Sequence, residues 1–239
     1  MPKLKAVCFD LDLTLLDYSE ADYLRTIDCV CGDLARAHHQ VDAATLAPRF
    51  WEMNVRRWAV EGAAGSADLA SDGYAYWRET WAMALASLGC HEVAVADDAL
   101  ALYVRYRHEH YRLYEDVMST LEVLKTTHRL AVITNGPGTT QRDKLRFLQV
   151  EPWFDVCVVS GEVGFKKPDV AIFEHTLRAL GASPDEALHV GDSLASDVGG
   201  ALRAGMTAVW LNRSSGARAE GEPSPHHEIA SLTELLGLL

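Results

Sequence analysis

The sequence lacks any apolar run that approaches the roughly 18 residues of a membrane-spanning helix. It does not begin like a secretion signal, because Asp10 and Asp12 interrupt the apolar stretch that follows Lys3 and Lys5. Positive charge is also scarce, since 22 lysines and arginines stand against 34 acidic residues and give a formal net charge of −12. This balance argues against broad binding to nucleic acid or to an anionic membrane surface. We therefore expect no nucleic-acid partner and no membrane partner.

Cysteine gives no disulfide framework, because there are only five and the number is odd. Cys8 and Cys157 lie in apolar, strand-like runs, where packing explains them. Cys29 and Cys31 share a predicted helix, but their side chains would point about 200° apart there, so a shared metal ion is not expected. The reducing cytoplasm is the compartment that fits this pattern best.

Lysine is absent between residues 17 and 116, although this segment contains all eight tyrosines and four of the six tryptophans. Apolar residues recur there at helical spacing, as in Leu24, Ile27, Cys31 and Leu34, and strand patterns are missing. Small residues predict a loop over Glu61–Gly73. The segment is therefore predicted to be a separate, all-helical insertion.

Strands and helices alternate outside that insertion, which predicts an α/β fold built on a doubly wound, Rossmann-like parallel sheet. The expected domains are a core of residues 1–16 plus 117–239 and a helical domain of residues 17–116. The strands predicted for the core are Ala6–Phe9, Arg129–Thr134, Asp155–Val159, Ala187–Val190 and Met206–Leu211.

Polar side chains follow four of these strands. The carboxyl ends of parallel strands share one edge of the sheet, so these side chains can converge. Acidic oxygens without a cysteine and histidine cluster favour Mg²⁺ over zinc. A lysine, a hydroxyl and free backbone amides suit a phosphate group, and an aspartate can act as a nucleophile toward it. No histidine is assigned a role. The candidate residues are Asp10, Asp12, Thr134, Asn135, Lys167, Asp192 and Asp197.

With these residues the sequence resembles the haloacid dehalogenase (HAD) superfamily, in the subgroup with a helical cap inserted after the first strand. All four motifs of that family are present, in order and with suitable spacing. One departure is Leu13, which stands where many relatives have glycine, aspartate or asparagine. The matching residues are Asp10, Asp12 and Thr14 for the first motif, Thr134 for the second, Lys167 before a proline for the third, and Asp192 with Asp197 for the fourth.

The resemblance implies a Mg²⁺-dependent phosphatase. Asp10 would attack phosphorus and form an aspartyl-phosphate, while Asp12 would protonate the leaving alcohol and then activate water. Thr134, the backbone amide of Asn135 and Lys167 would hold the phosphoryl oxygens. Asp10, the backbone carbonyl of Asp12 and Asp192 would bind the metal. For Asp197 three roles stay open: to orient Lys167, to hold metal-bound water, or to cap a helix.

Other activities of the same family compete with this interpretation. A haloacid dehalogenase lacks the second aspartate and needs no metal, and a phosphonate hydrolase needs a cap lysine that this chain lacks. A sugar phosphomutase keeps all four motifs and stays open, and a non-catalytic regulatory protein is the remaining alternative. We expect a small phosphorylated metabolite as substrate, such as a sugar phosphate or nucleotide, and a protein that acts as a monomer or homodimer.

Overall fold

The chain is described by a computed structural model over residues 4–57, 59 and 72–239. It divides into two compact units. The first contains Met1–Asp17, Arg112–Gly136 and Gln141–Leu239, and the second contains Tyr18–Tyr111 and Pro137–Thr140. The predicted loop over Glu61–Gly73 lies, up to residue 71, outside the described residues. Among the helices that are described, none is long and apolar enough to cross a membrane.

The first unit is built on a six-stranded, fully parallel sheet with the strand order β5-β4-β1-β6-β7-β8. The predicted α/β fold class with a parallel sheet is confirmed. The described strands are β1 (Ala6–Phe9), β2 (Leu16–Asp17), β3 (Arg112–Leu113), β4 (Arg129–Thr134), β5 (Val156–Val159), β6 (Ala187–Gly191), β7 (Thr207–Leu211) and β8 (His227–Ile229).

Helices cover both faces of this sheet or form the second unit. The described helices are α1 (Glu20–Ala37), α2 (Ala43–Arg57), α3 (Gly73–Ser87), α4 (Val93–His110), α5 (Val117–Leu124), α6 (Gly138–Phe147), α7 (Ser160–Val163), α8 (Val170–Leu180), α9 (Gly199–Arg203) and α10 (Leu232–Leu235). A π-helical turn, Leu194–Val198, precedes α9.

Strand β1 lies in the interior of the sheet, between β4 and β6, and all four of its side chains are buried. Its register with β4 and β6 pairs Phe9 with Val132 and with Val190. The ladder continues for one more residue, since the Asp10 N–H donates to the Val190 carbonyl at 2.9 Å. The carboxyl ends of β1, β4 and β6 therefore meet at one edge, as the sequence predicted.

Two features of the first unit depart from the sequence-based expectations. The last residue of the predicted loop over Arg213–His227 begins a short strand, β8, that adds to the edge of the sheet. Strands β2 and β3 pair antiparallel within the first unit, with Leu16 opposite Leu113. No strand was expected between residues 17 and 116. The contacts divide the chain after Asp17 and after Tyr111.

The second unit contains α1 to α4, which pack around an aromatic core. Phe50 and Trp81 are both fully buried and stack with their ring centroids 3.7 Å apart. Tyr103 of α4 packs edge-on against both of these rings. The aromatic residues that set this segment apart in the sequence therefore act, at these three positions, as helix-packing residues.

Arg107 of α4 is a buried cation within this aromatic core. Its Nε donates to the Tyr111 hydroxyl at 2.6 Å, and its Nη1 donates to the Tyr103 hydroxyl at 3.0 Å. The guanidinium also lies 4.5 Å from the ring centroid of Trp77 and 4.9 Å from that of Tyr18. Hydrogen bonds to a charge and cation–π contacts are both strong when they are shielded from water.

We expect Arg107→Met to lower the free energy of unfolding by about 2–4 kcal/mol, because two buried tyrosine hydroxyls lose a charged partner. Urea unfolding followed by circular dichroism measures this loss. The matched control is Arg105→Met on the same helix, where the side chain is half exposed and pairs with Asp33 at the surface. That control should change stability by less than about 1 kcal/mol, and an equal loss in both variants would contradict the expectation.

Candidate active site

The site lies where β1 ends, around a buried lysine that contacts two carboxylates. The Lys167 Nζ lies 2.5 Å from Oδ1 of Asp10 and 2.6 Å from Oδ1 of Asp197. All three side chains are less than a tenth exposed. Burial alone would lower the pKa of Lys167, but the two carboxylates raise it above its ordinary value, so the ammonium stays charged. Lys166, its neighbour in the chain, is exposed.

Asp197 is held by several donors besides Lys167. His189 Nε2 lies 3.0 Å from Oδ1, and the backbone N–H of Ser193 donates to Oδ2 at 3.1 Å. Burial alone would raise the pKa of Asp197, but the ammonium and the histidine hydrogen bond lower it, so this carboxyl is ionised. Of the three roles that the sequence left open, orienting Lys167 is the one that matches the contact in the structure.

The approach of Asp197 depends on a glycine. A Cβ on Gly191, the last residue of β6, would lie only 2.2 Å from the Asp197 Cγ, closer than atoms can pack. Any side chain at this position would push the carboxylate away from Lys167. The glycine that precedes Asp192 in the fourth motif is therefore required sterically.

Three carboxylates form a cluster that could hold a cation. Ligand oxygens of Asp10, Asp192 and Asp197 all lie within 4.8 Å of one another. Burial, which Lys167 opposes and neighbouring carboxylates reinforce, raises the pKa of Asp10 to about 8. Burial and the nearby Asp197 raise the pKa of Asp192 to about 6. A divalent cation would remove this mutual repulsion, and hard carboxylate oxygens are the ligands that Mg²⁺ prefers.

The hydrogen bonds that the three carboxylates accept indicate which of them can bind a metal ion. Both oxygens of Asp197 already accept hydrogen bonds from the protein. Asp10 and Asp192 are then the side chains of this cluster best able to bind a cation. The Asp192 backbone is fixed as well, since Trp210 Nε1 donates to its carbonyl at 2.8 Å.

Asp12 points its side chain at helix α6 and is not part of the cluster of three carboxylates. Gln141 Nε2 donates to its Oδ2 at 2.9 Å, and Lys144 Nζ donates to its Oδ1 at 2.7 Å. Neither donor was predicted from the sequence. Their spacing of three residues on a predicted helix placed them on one face, but nothing in the sequence showed what that face contacts.

Leu13, the departure from the family motif, has a backbone φ of 61°, in the left-handed region. Glycine, asparagine and aspartate tolerate this region best, which explains why they are common here in the family. The Leu13 side chain is exposed. A leucine in the left-handed region costs about 1 kcal/mol of conformational free energy.

Thr134 and Asn135 lie at the end of β4. The Thr134 hydroxyl is fully buried and accepts from Gln141 Nε2 at 2.6 Å. The Asn135 side chain donates to the Lys167 carbonyl at 2.9 Å and accepts from the Lys167 N–H at 2.8 Å. The amide side chain therefore fixes the backbone of the lysine, which leaves the predicted phosphate contact to the backbone N–H of Asn135.

Comparisons with known proteins agree with this geometry. The family model for haloacid dehalogenase-like hydrolase matches residues 4–205. N-acylneuraminate-9-phosphatase of Rattus norvegicus is 30% identical over 240 residues, which cover 100% of this chain and 95% of that protein. Phosphoserine phosphatase of Thermus thermophilus is 40% identical over 127 residues, which cover 52% of this chain and 50% of that one.

Solved structures agree with the comparisons of sequence. A HAD phosphatase from Thermococcus onnurineus is 32% identical with a TM-score of 0.68, and the match covers 98% of this chain and 97% of that one. A 2-haloacid dehalogenase from Pseudomonas syringae is 29% identical with a TM-score of 0.74, over 98% and 97% of the two chains. The predicted enzyme class, a HAD-like phosphatase, is confirmed. With its motif residues gathered at one edge of a parallel sheet, the chain belongs to the haloacid dehalogenase-like hydrolase family.

Proposed function

We propose that this protein is a Mg²⁺-dependent phosphomonoester hydrolase that acts through an aspartyl-phosphate on a small phosphorylated metabolite. One observation carries the proposal: the buried Lys167 contacts both Asp10 and Asp197, which form a cluster of carboxylates with Asp192. Asp12, two residues after Asp10 in the chain, is held separately by Lys144. Lys167 can hold a phosphoryl oxygen beside Asp10, and a haloacid dehalogenase would not need Asp12. We also propose that the protein works in the cytoplasm as a monomer or homodimer, without nucleic-acid or membrane partners.

The side chains divide the reaction into two displacements. An oxygen of Asp10 attacks phosphorus, and the bond from phosphorus to the leaving oxygen breaks as Asp12 gives that oxygen a proton. Asp12 then takes a proton from water, which attacks phosphorus, releases inorganic phosphate and restores Asp10. Lys167 and the Thr134 hydroxyl donate to the phosphoryl oxygens, where negative charge increases in the transition state.

Asp10, the Asp12 carbonyl and Asp192 would hold Mg²⁺, since their oxygens suit this ion. When bound, the ion neutralises the repulsion between an anionic substrate and the carboxylates. The charges in the site support this assignment, because its four carboxylates outnumber its two ammonium groups.

The relatives suggest which substrates to test first. One relative that aligns over the whole chain acts on an N-acylneuraminate 9-phosphate by its name, and a relative that aligns over about half of it acts on phosphoserine by its name. We propose a substrate of this kind, a small metabolite whose phosphate is esterified to an aliphatic alcohol, and N-acetylneuraminate 9-phosphate is the first candidate.

Phosphate release from N-acetylneuraminate 9-phosphate and from p-nitrophenyl phosphate, with and without Mg²⁺, tests the proposal. We expect EDTA to lower the rate at least about 100-fold and excess Mg²⁺ to restore it, because the carboxylates otherwise repel the substrate. Full activity in EDTA would contradict the metal assignment. Phosphate that returns to another position of a sugar substrate, rather than appearing free in solution, would indicate a mutase.

A further inference from the structure

Gln141 and Lys144 lie outside the four family motifs, yet they contact two of the motif residues. We propose that they are positioning residues: together they hold the Asp12 side chain in place for its acid–base role, and Gln141 also sets the Thr134 hydroxyl as a donor to phosphate. This inference rests on the proposed function, because it assigns Asp12 the acid–base role in phosphoryl transfer. Neither residue is proposed to contact the reacting atoms.

The two donors that contact Asp12 are buried, whereas Asp12 itself is partly exposed. Gln141 is 2% exposed and Lys144 is 7% exposed, whereas the Asp12 side chain is 40% exposed. Each donor takes a different carboxylate oxygen, at 2.9 Å and 2.7 Å. A carboxylate has about four acceptor sites, two more than these two donors use. The contacts therefore fix the plane of the carboxylate and leave it able to react.

Gln141 also controls the direction of the Thr134 hydroxyl. The Gln141 atom that faces Asp12 is the amide nitrogen, which donates to Oδ2 at 2.9 Å. The same nitrogen lies 2.6 Å from the Thr134 Oγ1, so its second proton is directed at that oxygen. Because the hydroxyl oxygen accepts this proton, its own proton is left to donate elsewhere. A phosphoryl oxygen is the acceptor that the proposed reaction supplies.

The chain makes room for this arrangement at Gly136. Its φ of +141° lies in a region that side chains rarely adopt, and a Cβ there would lie 3.0 Å from Cγ and Cδ of Gln141. Gln141 and Lys144 are three residues apart on α6, so they lie on the same helix face. The turn after β4 and the helix that follows it therefore bring both donors to Asp12.

A purely structural ion pair is the alternative explanation. The length of the Lys144 contact is also that of an ordinary salt bridge, and a partly exposed pair of this kind contributes little stability. The two explanations differ in which substrates are affected. A positioned acid matters most for an alcohol that is a poor leaving group, whereas nitrophenolate leaves with little help from a proton.

The experiment compares kcat/KM for p-nitrophenyl phosphate and for glycerol 1-phosphate, in the presence of Mg²⁺. For each ester, kcat/KM reports the steps up to loss of the leaving group, so the later hydrolysis of the phosphoenzyme does not affect it. For Lys144→Met we expect a loss at least about 30-fold larger with glycerol 1-phosphate than with the nitrophenyl ester. Lys144→Arg keeps a cationic donor and should recover most of that difference.

Gln141→Leu should lower kcat/KM for both esters, because the Thr134 hydroxyl then loses the bond that sets its direction, and it should lower the glycerol ester more. The matched control is Arg146→Met, on the same helix, where the side chain is exposed and its contact to Glu151 is 3.6 Å long. That variant should act on both esters as the parent does. Thermal unfolding of every variant shows whether a loss of activity is a loss of folded protein.

Equal losses for the two esters in Lys144→Met, or no loss in either, would overturn the inference and leave the proposed function intact. The orientation role is also wrong if Lys144→Arg is as stable as the parent but does not recover the difference in kcat/KM between the two esters. A parent protein that releases phosphate from no ester, including N-acetylneuraminate 9-phosphate, would instead overturn the proposed function and this inference with it.

Discussion

Asp10→Asn is expected to lower phosphate release by at least about 1,000-fold, because an amide oxygen is a far weaker nucleophile than a carboxylate. The fold should survive the change. Asparagine has nearly the same shape, its carbonyl oxygen can still accept from Lys167, and the backbone N–H of residue 10 still pairs with Val190. Steady-state phosphate release from p-nitrophenyl phosphate, followed over a range of concentrations, measures the effect on kcat.

A second measurement connects the loss to the chemical step. Denaturing mass spectrometry after rapid mixing should detect a phosphorylated peptide that contains Asp10 in the parent protein and none in the variant. Asp28→Asn serves as the control, because Asp28 is an exposed carboxylate on α1, and it should keep full activity. More than about a tenth of the parent activity in Asp10→Asn would exclude an obligatory Asp10 nucleophile.

The sheet could be predicted from the sequence because its strands are buried on both faces and therefore appear as short apolar runs. Ala6–Phe9 and Arg129–Thr134 begin and end as predicted. Strand β8 could not be found this way. His227 and Glu228 are exposed, so the three-residue strand has one buried side chain, Ile229, and no pattern that separates it from a loop.

The candidate site was predictable where it depends on residue types and on the ends of strands. It was unpredictable where it depends on which buried side chains contact each other. Asp10, Lys167 and Asp197 meet because three chain segments end at one edge of the sheet. His189 was given no role, yet it contacts Asp197. It lies within β6, whose five residues are all buried. An apolar run of this kind shows that a side chain is buried but not which polar group it meets.

His189 also shows how the buried charges depend on one another. Burial lowers its pKa, so the ring is neutral, and the nitrogen that faces the Asp197 carboxylate carries the single proton. Lys167 is then the only cation among the described residues that contacts both Asp10 and Asp197. Removing that one charge should therefore affect stability as well as activity.

We expect Lys167→Met to lower kcat about 1,000-fold and the free energy of unfolding by about 3–5 kcal/mol. The first effect follows because the phosphoryl group loses a cation where negative charge increases. The second follows because two buried carboxylates lose their shared partner. Phosphate release and urea unfolding, both in the presence of Mg²⁺, measure the two losses. Lys166→Met, at the exposed neighbouring residue, should change neither.

A double variant separates these two effects. In Lys167→Met/Asp197→Asn one of the uncompensated carboxylates becomes neutral. The single asparagine oxygen can accept from the Ser193 N–H, and its NH2 group can donate to His189 Nε2, which is an acceptor in the other ring tautomer. Stability should then recover by at least about 1 kcal/mol over Lys167→Met alone, while kcat stays low because no cation meets the phosphoryl group. Recovery of activity together with stability would show that Lys167 acts only by balancing buried charge. If stability does not recover, the shared contact with Asp197 is not what Lys167 contributes to the fold.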